Sequence, residues 1–372
     1  MIVVGARPNF MKVAPLIHAI NNYNGTPEGS QTRLESILVH TGQHYDIDLS
    51  DQFFRDLDLP SPDINLDVRS GSHAVQTANL LVRFETVCLR EKPDWLLVVG
   101  DVNSTLACTL VAAKLGIRVG HVEAGLRSFD RSMPEEINRL VTDVLADLLF
   151  TPSEDADENL RREGVSSDKI KRVGNIMIDT LILNLAKARR AGTHNRLGLT
   201  EKHYAVVTLH RPANVDSDTH LSHIMDRLSE LSRELPVVFP AHPRTRAQLE
   251  SLGLWNWAAN LKICSPMGYH EFIGLVDKAR FVLTDSGGLQ EETTFLGIPC
   301  LTLRPNTERP ITVAQGTNRL ASLETLQQDI EYVLNGHSRP THIPALWDGM
   351  TGRRIVDLLI AAAAESAASR AL

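Results

Sequence analysis

The chain has 372 residues, 43% apolar and 22% charged, with a formal net charge of -7 at pH 7. That length exceeds what a single hydrophobic core grows into, so two domains are expected, with the cleft between them as the default ligand site. Such a composition excludes a disordered or fibrous chain, and the acidic balance excludes a general nucleic-acid binder.

Short β-rich runs alternate with helix-length amphipathic segments. Ile2 to Val4, Ser36 to His40, Trp95 to Val99, Arg118 to Val122 and Leu148 to Thr151 predict a first parallel sheet with crossover helices. The pattern restarts with Tyr204 to Leu209, Val237 to Pro240, Lys262 to Cys264, Phe281 to Thr284 and Cys300 to Leu303. The fold class is therefore α/β, with two doubly wound Rossmann-like domains facing a cleft. The boundary is expected at Val173 to Asn175, which gives domains 1–173 and 174–351. A helix from Met177 to Ala191 would lead into the second sheet, and an Ala-rich helix over 352–372 would cross back onto the first domain. Cys88, Cys108, Cys264 and Cys300 are scattered without metal spacing and read as reduced core residues. No apolar run is long enough for a bilayer and no signal pattern opens the chain, so a cytoplasmic protein without membrane contact is expected.

The candidate functional residues fall at strand ends. Gly5-Ala6-Arg7-Pro8 opens a helix but is neither a Walker loop nor a Gly-x-Gly-x-x-Gly fingerprint. Arg7 and Lys12 could neutralise a pyrophosphate there, or form an ordinary solvated pair. Asp101, Glu123 in His121-Val122-Glu123-Ala124-Gly125-Leu126-Arg127, and Glu135 in Pro134-Glu135-Glu136 are expected to converge at one sheet edge. Each alone also suits a cap or an ion-pair partner, whereas crowded together they would raise one another's pKa and supply general acid and base. In the second half, His210-Arg211 and His242-Pro243-Arg244 end strands, and Arg309 follows another. The stretch from Val282 to Gly297 joins a strand end to Ser286-Gly287-Gly288 and an acidic helix start. Glycines without Cβ and helix N–H groups favour an anionic phosphate, while Glu291 or Glu292 would turn to the hydroxyls of a ribose. The same residues also suit a plain strand-to-helix turn.

Taken in order, these segments resemble the non-hydrolysing UDP-N-acetylglucosamine 2-epimerases over nearly the whole length. The likeness runs through Gly5-Ala6-Arg7-Pro8, Thr41-Gly42-Gln43-His44, Gly100-Asp101, His121 to Arg127, Pro134-Glu135-Glu136-x-Asn138-Arg139 and Gly174-Asn175. It continues through His210-Arg211, Thr284-Asp285-Ser286-Gly287-Gly288-x-Gln290-Glu291-Glu292, Thr307-Glu308-Arg309-Pro310 and Asp348-Gly349. The resemblance implies a GT-B type fold and a UDP-binding second domain, with Ser286, Gly287 and Gly288 at the diphosphate, Arg309 beside it, Glu292 at the ribose and Phe272 by the uracil. Arg7, Lys12, Asp101, Glu123, Glu135 and His210 would form the catalytic cleft. It further implies a homodimer that needs no metal or nicotinamide cofactor and interconverts UDP-GlcNAc and UDP-ManNAc for surface polysaccharide synthesis. Asn9 and Met267 stand where most members carry Glu and Gln, so an epimerase of a C3- or C6-modified sugar is one alternative; a GT-B glycosyltransferase is the other.

Overall fold

Strands buried on both faces carry almost unbroken apolar runs, and those runs build two all-parallel sheets. The structure is a computed structural model that describes residues 1–5, 7–42, 56–69, 71–255, 260–337 and 342–370, with only the backbone of Arg7 and of residues 366–370. The chain divides into a first unit, Met1–Leu183 with Ala345–Leu372, and a second unit, Asn184–Pro344. That division falls inside the helix Ile176–Arg190, not ahead of it at Val173 to Asn175.

In the first unit the strands are β1 (Ile2–Val4), β2 (Leu38–His40), β3 (Ile64–Asn65), β4 (Trp95–Val99), β5 (Arg118–Val122), β6 (Leu148–Thr151) and β7 (Ile170–Arg172), in the order β3-β2-β1-β4-β5-β6-β7. All pairs are parallel. Val3, Val39, Leu96, Val98, Val119 and Leu149 share one core with Leu80 and Phe84 of the helix His73–Glu91.

The second unit holds β8 (Ala205–Thr208), β9 (Val237–Pro240), β10 (Leu261–Cys264), β11 (Phe281–Thr284), β12 (Cys300–Leu303) and β13 (Asn318–Ala321), in the order β10-β9-β8-β11-β12-β13. Strand alternation splits its core between the two faces. Val207, Phe281 and Leu283 pack on one side, while Val206 and Val282 pack on the other. Both sheets are doubly wound, and the strand order reverses between β1 and β4 and again between β8 and β11. The carboxyl ends of strands at such switch points are where open α/β sheets bind ligands.

The last helix, Thr351–Arg370, returns to the first unit. Asp179 accepts the Gly352 N–H at 2.8 Å and so caps this helix from another element. A Cβ on Gly352 would sit 2.8 Å from the Pro15 carbonyl oxygen, so glycine is what lets this helix close on the helix Arg7–Asn24. Trp347 anchors the approach by donating its indole N–H to the Pro152 carbonyl at 3.0 Å. Among the described residues no helix is long and apolar enough to cross a membrane.

Candidate active site

At the first switch point the chain turns tightly behind β4. Gly100 has φ +67°, and a Cβ there would lie 2.8 Å from Lys12 Nζ, 3.4 Å from Asn9 Oδ1 and 3.5 Å from Glu123 Oε2. Three polar side chains, two from the helix Arg7–Asn24 that follows β1 and one from the end of β5, therefore meet over one glycine. Lys12 and Glu123 are both buried and form an ion pair. Glu123 itself adopts φ +71°, a left-handed conformation that costs a non-glycine residue about 1–2 kcal/mol. The neighbouring amides of Glu123 and Ala124 both donate to the Phe150 carbonyl, at 3.1 and 3.2 Å, which fixes the bend.

Asp101 is partly exposed and accepts from Arg139 Nε at 3.1 Å. Arg139 also pairs with buried Glu136, which in turn accepts from Ser128 N, Ser128 Oγ and Phe129 N at 2.9, 2.9 and 3.0 Å. Glu135, one residue earlier on the helix Pro134–Leu145, is exposed. The expected crowd of three carboxylates is thus corrected in its electrostatics: Asp101 and Glu123 each face a cation. Lys12, read in the sequence as free to meet a pyrophosphate, is committed to Glu123. Arg7 opens the helix Arg7–Asn24, but its side chain and the Gln43-His44 pair lie outside the described residues.

At the second switch point a buried carboxylate joins two loops. Asp285, fully buried after β11, accepts from the backbone N–H of His210 at 3.1 Å and of Arg211 at 2.9 Å, and from Asn214 Nδ2 at 3.0 Å. His210 Nδ1 lies 2.9 Å from the same carboxylate, and the imidazole is about half exposed. Burial acts to raise the Asp285 pKa, but His210, Asn214 and the backbone donors outweigh it and hold the carboxyl below its usual range. With Nδ1 engaged, Nε2 is the nitrogen left for a substrate.

Ser286 stands at the N-cap of the helix Gly287–Leu296 without a side-chain hydrogen bond to it, so the hydroxyl leaves the first N–H groups uncapped. A Cβ on Gly287 would meet Arg309 Nη1 at 2.7 Å. The glycine therefore admits the Arg309 guanidinium to the helix N-terminus, a refinement of the expectation that it merely bares the backbone. Arg309 is held by Glu291 at 2.9 Å and Glu308 at 3.6 Å. Glu308 also takes two bonds from Arg304, at 2.8 and 3.1 Å, and lies 3.4 Å from Arg211. Burial opposes the charge on Glu308, yet Arg309 and Arg304 keep its carboxyl well below the usual range. Gly288 follows on the same first turn.

Glu292 is buried, accepts from Tyr269 Oη at 3.0 Å, and has its pKa pushed up to about 8, chiefly by burial. Phe272 lies on the same helix as Tyr269, Tyr269–Asp277, and packs on the core around Leu275, Val282 and Leu289. The raised pKa makes a signed prediction. A carboxyl whose folded pKa exceeds its unfolded value contributes stability below about pH 4.5 that is lost as pH rises through about 8, on the order of a few kcal/mol in full. Melting temperatures of the parent and of Glu292→Gln should therefore diverge between pH 5 and 8, with the parent falling more steeply. Parallel curves would show that Glu292 carries no such burden.

Glu136 with Arg139, Asp285, Tyr269 and the Arg304–Glu308 pair were not singled out from the sequence. For Asp285 a signal existed, since it directly precedes Ser286-Gly287-Gly288 and follows a buried strand. His242 caps the helix Pro243–Ser251 through Arg244 N, at 3.3 Å.

Known proteins share this framework. The family model for UDP-N-acetylglucosamine 2-epimerase matches residues 29–360. A UDP-N-acetylglucosamine 2-epimerase homolog of Methanococcus maripaludis is 45% identical over 323 residues, covering 86% of this chain and 87% of its own. The UDP-2,3-diacetamido-2,3-dideoxy-D-glucuronate 2-epimerase of Pseudomonas aeruginosa is 42% identical over 322 residues, 86% of either chain. The crystal structure of the Methanocaldococcus jannaschii UDP-GlcNAc 2-epimerase, in complex with UDP-GlcNAc and UDP, superposes with a TM-score of 0.84 at 41% identity, covering 96% of this chain and 98% of its own. Matched over nearly its whole length, this pair of doubly wound units is the architecture of the nucleotide-sugar epimerases. The chain belongs to the UDP-N-acetylglucosamine 2-epimerase family.

Proposed function

We propose that the chain interconverts UDP-GlcNAc and UDP-ManNAc by eliminating and re-adding UDP. The observation that carries this reading is the buried Lys12–Glu123 pair set over Gly100 beside Asp101. The C2 proton of an N-acetylhexosamine is not adjacent to a carbonyl, so direct abstraction would leave an unstabilised carbanion. Breaking the C1–O bond first sends its electron pair to the diphosphate and develops positive charge on the ring, which acidifies C2–H. A carboxylate then takes that proton, and C1=C2 forms as 2-acetamidoglucal. In the return direction UDP attacks C1 while a proton reaches C2 on the opposite face.

We assign the proton transfers at C2 to Asp101, Glu123 and Glu135, with Lys12 paired to Glu123. The assignment of acid and base among them is left to experiment. Nucleotide recognition falls to the second unit: Ser286, Gly287 and Gly288 with Arg309 for the diphosphate, Glu292 for the ribose and Phe272 for the uracil. His210, steadied by Asp285, and Arg7 complete the group. The fixed donors at the helix start suit a leaving group that must be retained until it re-adds.

The test is incubation with UDP-GlcNAc in deuterated water without any acceptor. Deuterium at C2 with the UDP linkage intact is expected. Free sugar would point to hydrolysis, and absence of exchange would overturn the reading for this substrate. The Pseudomonas aeruginosa relative favours a second reading, in which the sugar is modified at C3 and C6. Exchange with a 2,3-diacetamido uronate substrate but not with UDP-GlcNAc would select it.

We also propose a cytoplasmic homodimer that serves surface polysaccharide synthesis. Val75, Val82 and Leu89 recur every seven residues along one face of the helix His73–Glu91 and are 56%, 69% and 58% exposed. Ile137, Val141 and Val144 form a similar row on the helix Pro134–Leu145. Apolar rows of this kind are typical of a covered interface. Light scattering should give the mass of two chains, and Val82→Glu should shift it to one.

A further inference from the structure

Behind the Lys12–Glu123 pair lies a buried charged network that the proposed chemistry does not use. His121, at 0% exposure the only fully buried imidazole among the described histidines, points Nδ1 at Asp143 Oδ1, 2.6 Å away, and Nε2 at the Gly100 carbonyl oxygen, 2.8 Å away. Both partners carry acceptor oxygens, so each ring nitrogen has a fixed contact. The other oxygen of Asp143 accepts the Gly125 N–H at 3.0 Å and pairs with Arg127 at 2.7 Å. Arg127 is clamped in turn by both oxygens of Glu163, at 2.7 and 2.6 Å.

The backbone atoms reached by this network flank the reactive groups. Gly100 precedes Asp101, and Gly125 lies two residues after Glu123. All three turning residues, Gly100, Glu123 and Gly125, have positive φ, at 67°, 71° and 80°. A non-glycine residue keeps such a conformation only where its surroundings impose it. One carboxylate on the helix Pro134–Leu145 therefore ties the end of β4 to the end of β5, which also brings Arg139 of that helix to Asp101.

We propose that Asp143 is a positioning residue for the reaction: through His121 and the Gly125 N–H it fixes the two loops that present Asp101 and Glu123 to the sugar. This rests on the epimerase reading above. It touches no substrate atom and acts only by geometry, where an error near 1 Å costs about 100-fold in rate.

Asp143→Asn keeps the volume but turns an amide N–H towards donors. In the full chain, C2 deuterium exchange should slow about 100-fold, while the Kd for UDP stays within about three-fold by calorimetry. His121→Asn removes the bond to Gly100 but spares the Asp143–Arg127–Glu163 pairs, and should give the same split. A merely structural role is read separately, as a fall in melting temperature: the split counts only for variants that melt within a few degrees of the parent, because UDP recognition is assigned to the second unit and would survive loosening of the first. The proposal is overturned if a folded variant exchanges within about two-fold of the parent, or if UDP affinity falls in step with exchange. Should Asp143→Asn fail to fold, His121→Asn decides alone. A parent that shows no exchange would overturn the epimerase reading and this proposal with it, whereas an active parent with active variants removes only the proposal.

Discussion

Glu123→Gln should reduce deuterium exchange at C2 by about 1,000-fold or more while UDP binds with unchanged affinity. Glutamine keeps the size and the bend of the chain but cannot accept a proton. It also strands Lys12, a buried cation that now faces only an amide, and breaking such a pair costs about 3–5 kcal/mol. Stability and chemistry can be separated by adding Lys12→Met, which removes the stranded charge. The double variant should regain most of the lost melting temperature and none of the exchange. If exchange returned with stability, Glu123 would be a structural anchor and the assignment of the proton transfers would have to move to Asp101 and Glu135.

Asp285→Asn should be the most destabilising single change at the second switch point, by about 3–5 kcal/mol in urea unfolding. The carboxylate serves the backbone N–H groups of His210 and Arg211, the Asn214 amide and the His210 ring. An asparagine offers one acceptor in place of two and adds an N–H among donors. Because the folded pKa of Asp285 is depressed, its contribution is present above the unfolded value of 3.8 and disappears as pH falls through the folded one. The stability gap between parent and variant should therefore close in acid. A loss under about 1 kcal/mol near neutral pH would mean that the loops hold without it.

The interior of the fold was legible because buried parallel strands must be apolar on both faces. Trp95-Leu96-Leu97-Val98-Val99 and Phe281-Val282-Leu283-Thr284 are such runs, and both stand where they were expected. Three strands escaped notice: β3 (Ile-Asn), β7 (Ile-Lys-Arg) and β13 (Asn-Arg-Leu-Ala). Each closes an edge of its sheet, where one side is left unpaired and polar residues are tolerated. The site divided along similar lines. Residues next to glycines at strand ends, such as Asp101 and Ser286, announced themselves through local chemistry. Asp143 and Arg139 did not, because each lies mid-helix and is defined by partners far away in sequence, His121 and Asp101. Lys12 was noticed for its charge but assigned to an anion, since no local pattern reveals that its partner lies 111 positions further on.

If Glu123 carries the proton transfer proposed for it, its left-handed bend sets selection for folding against selection for turnover at a single codon. Glycine would adopt φ +71° freely and could relieve about 1 kcal/mol of strain, though it would leave Lys12 without its partner. With Lys12 also replaced by an apolar residue, glycine at 123 should be the more robust scaffold. A population screened only for solubility or heat resistance would therefore drift towards a well-folded, UDP-binding protein without catalysis. Homologues that have exchanged this glutamate for glycine and lost the lysine would be candidates for nucleotide-sugar sensors that arose by that route.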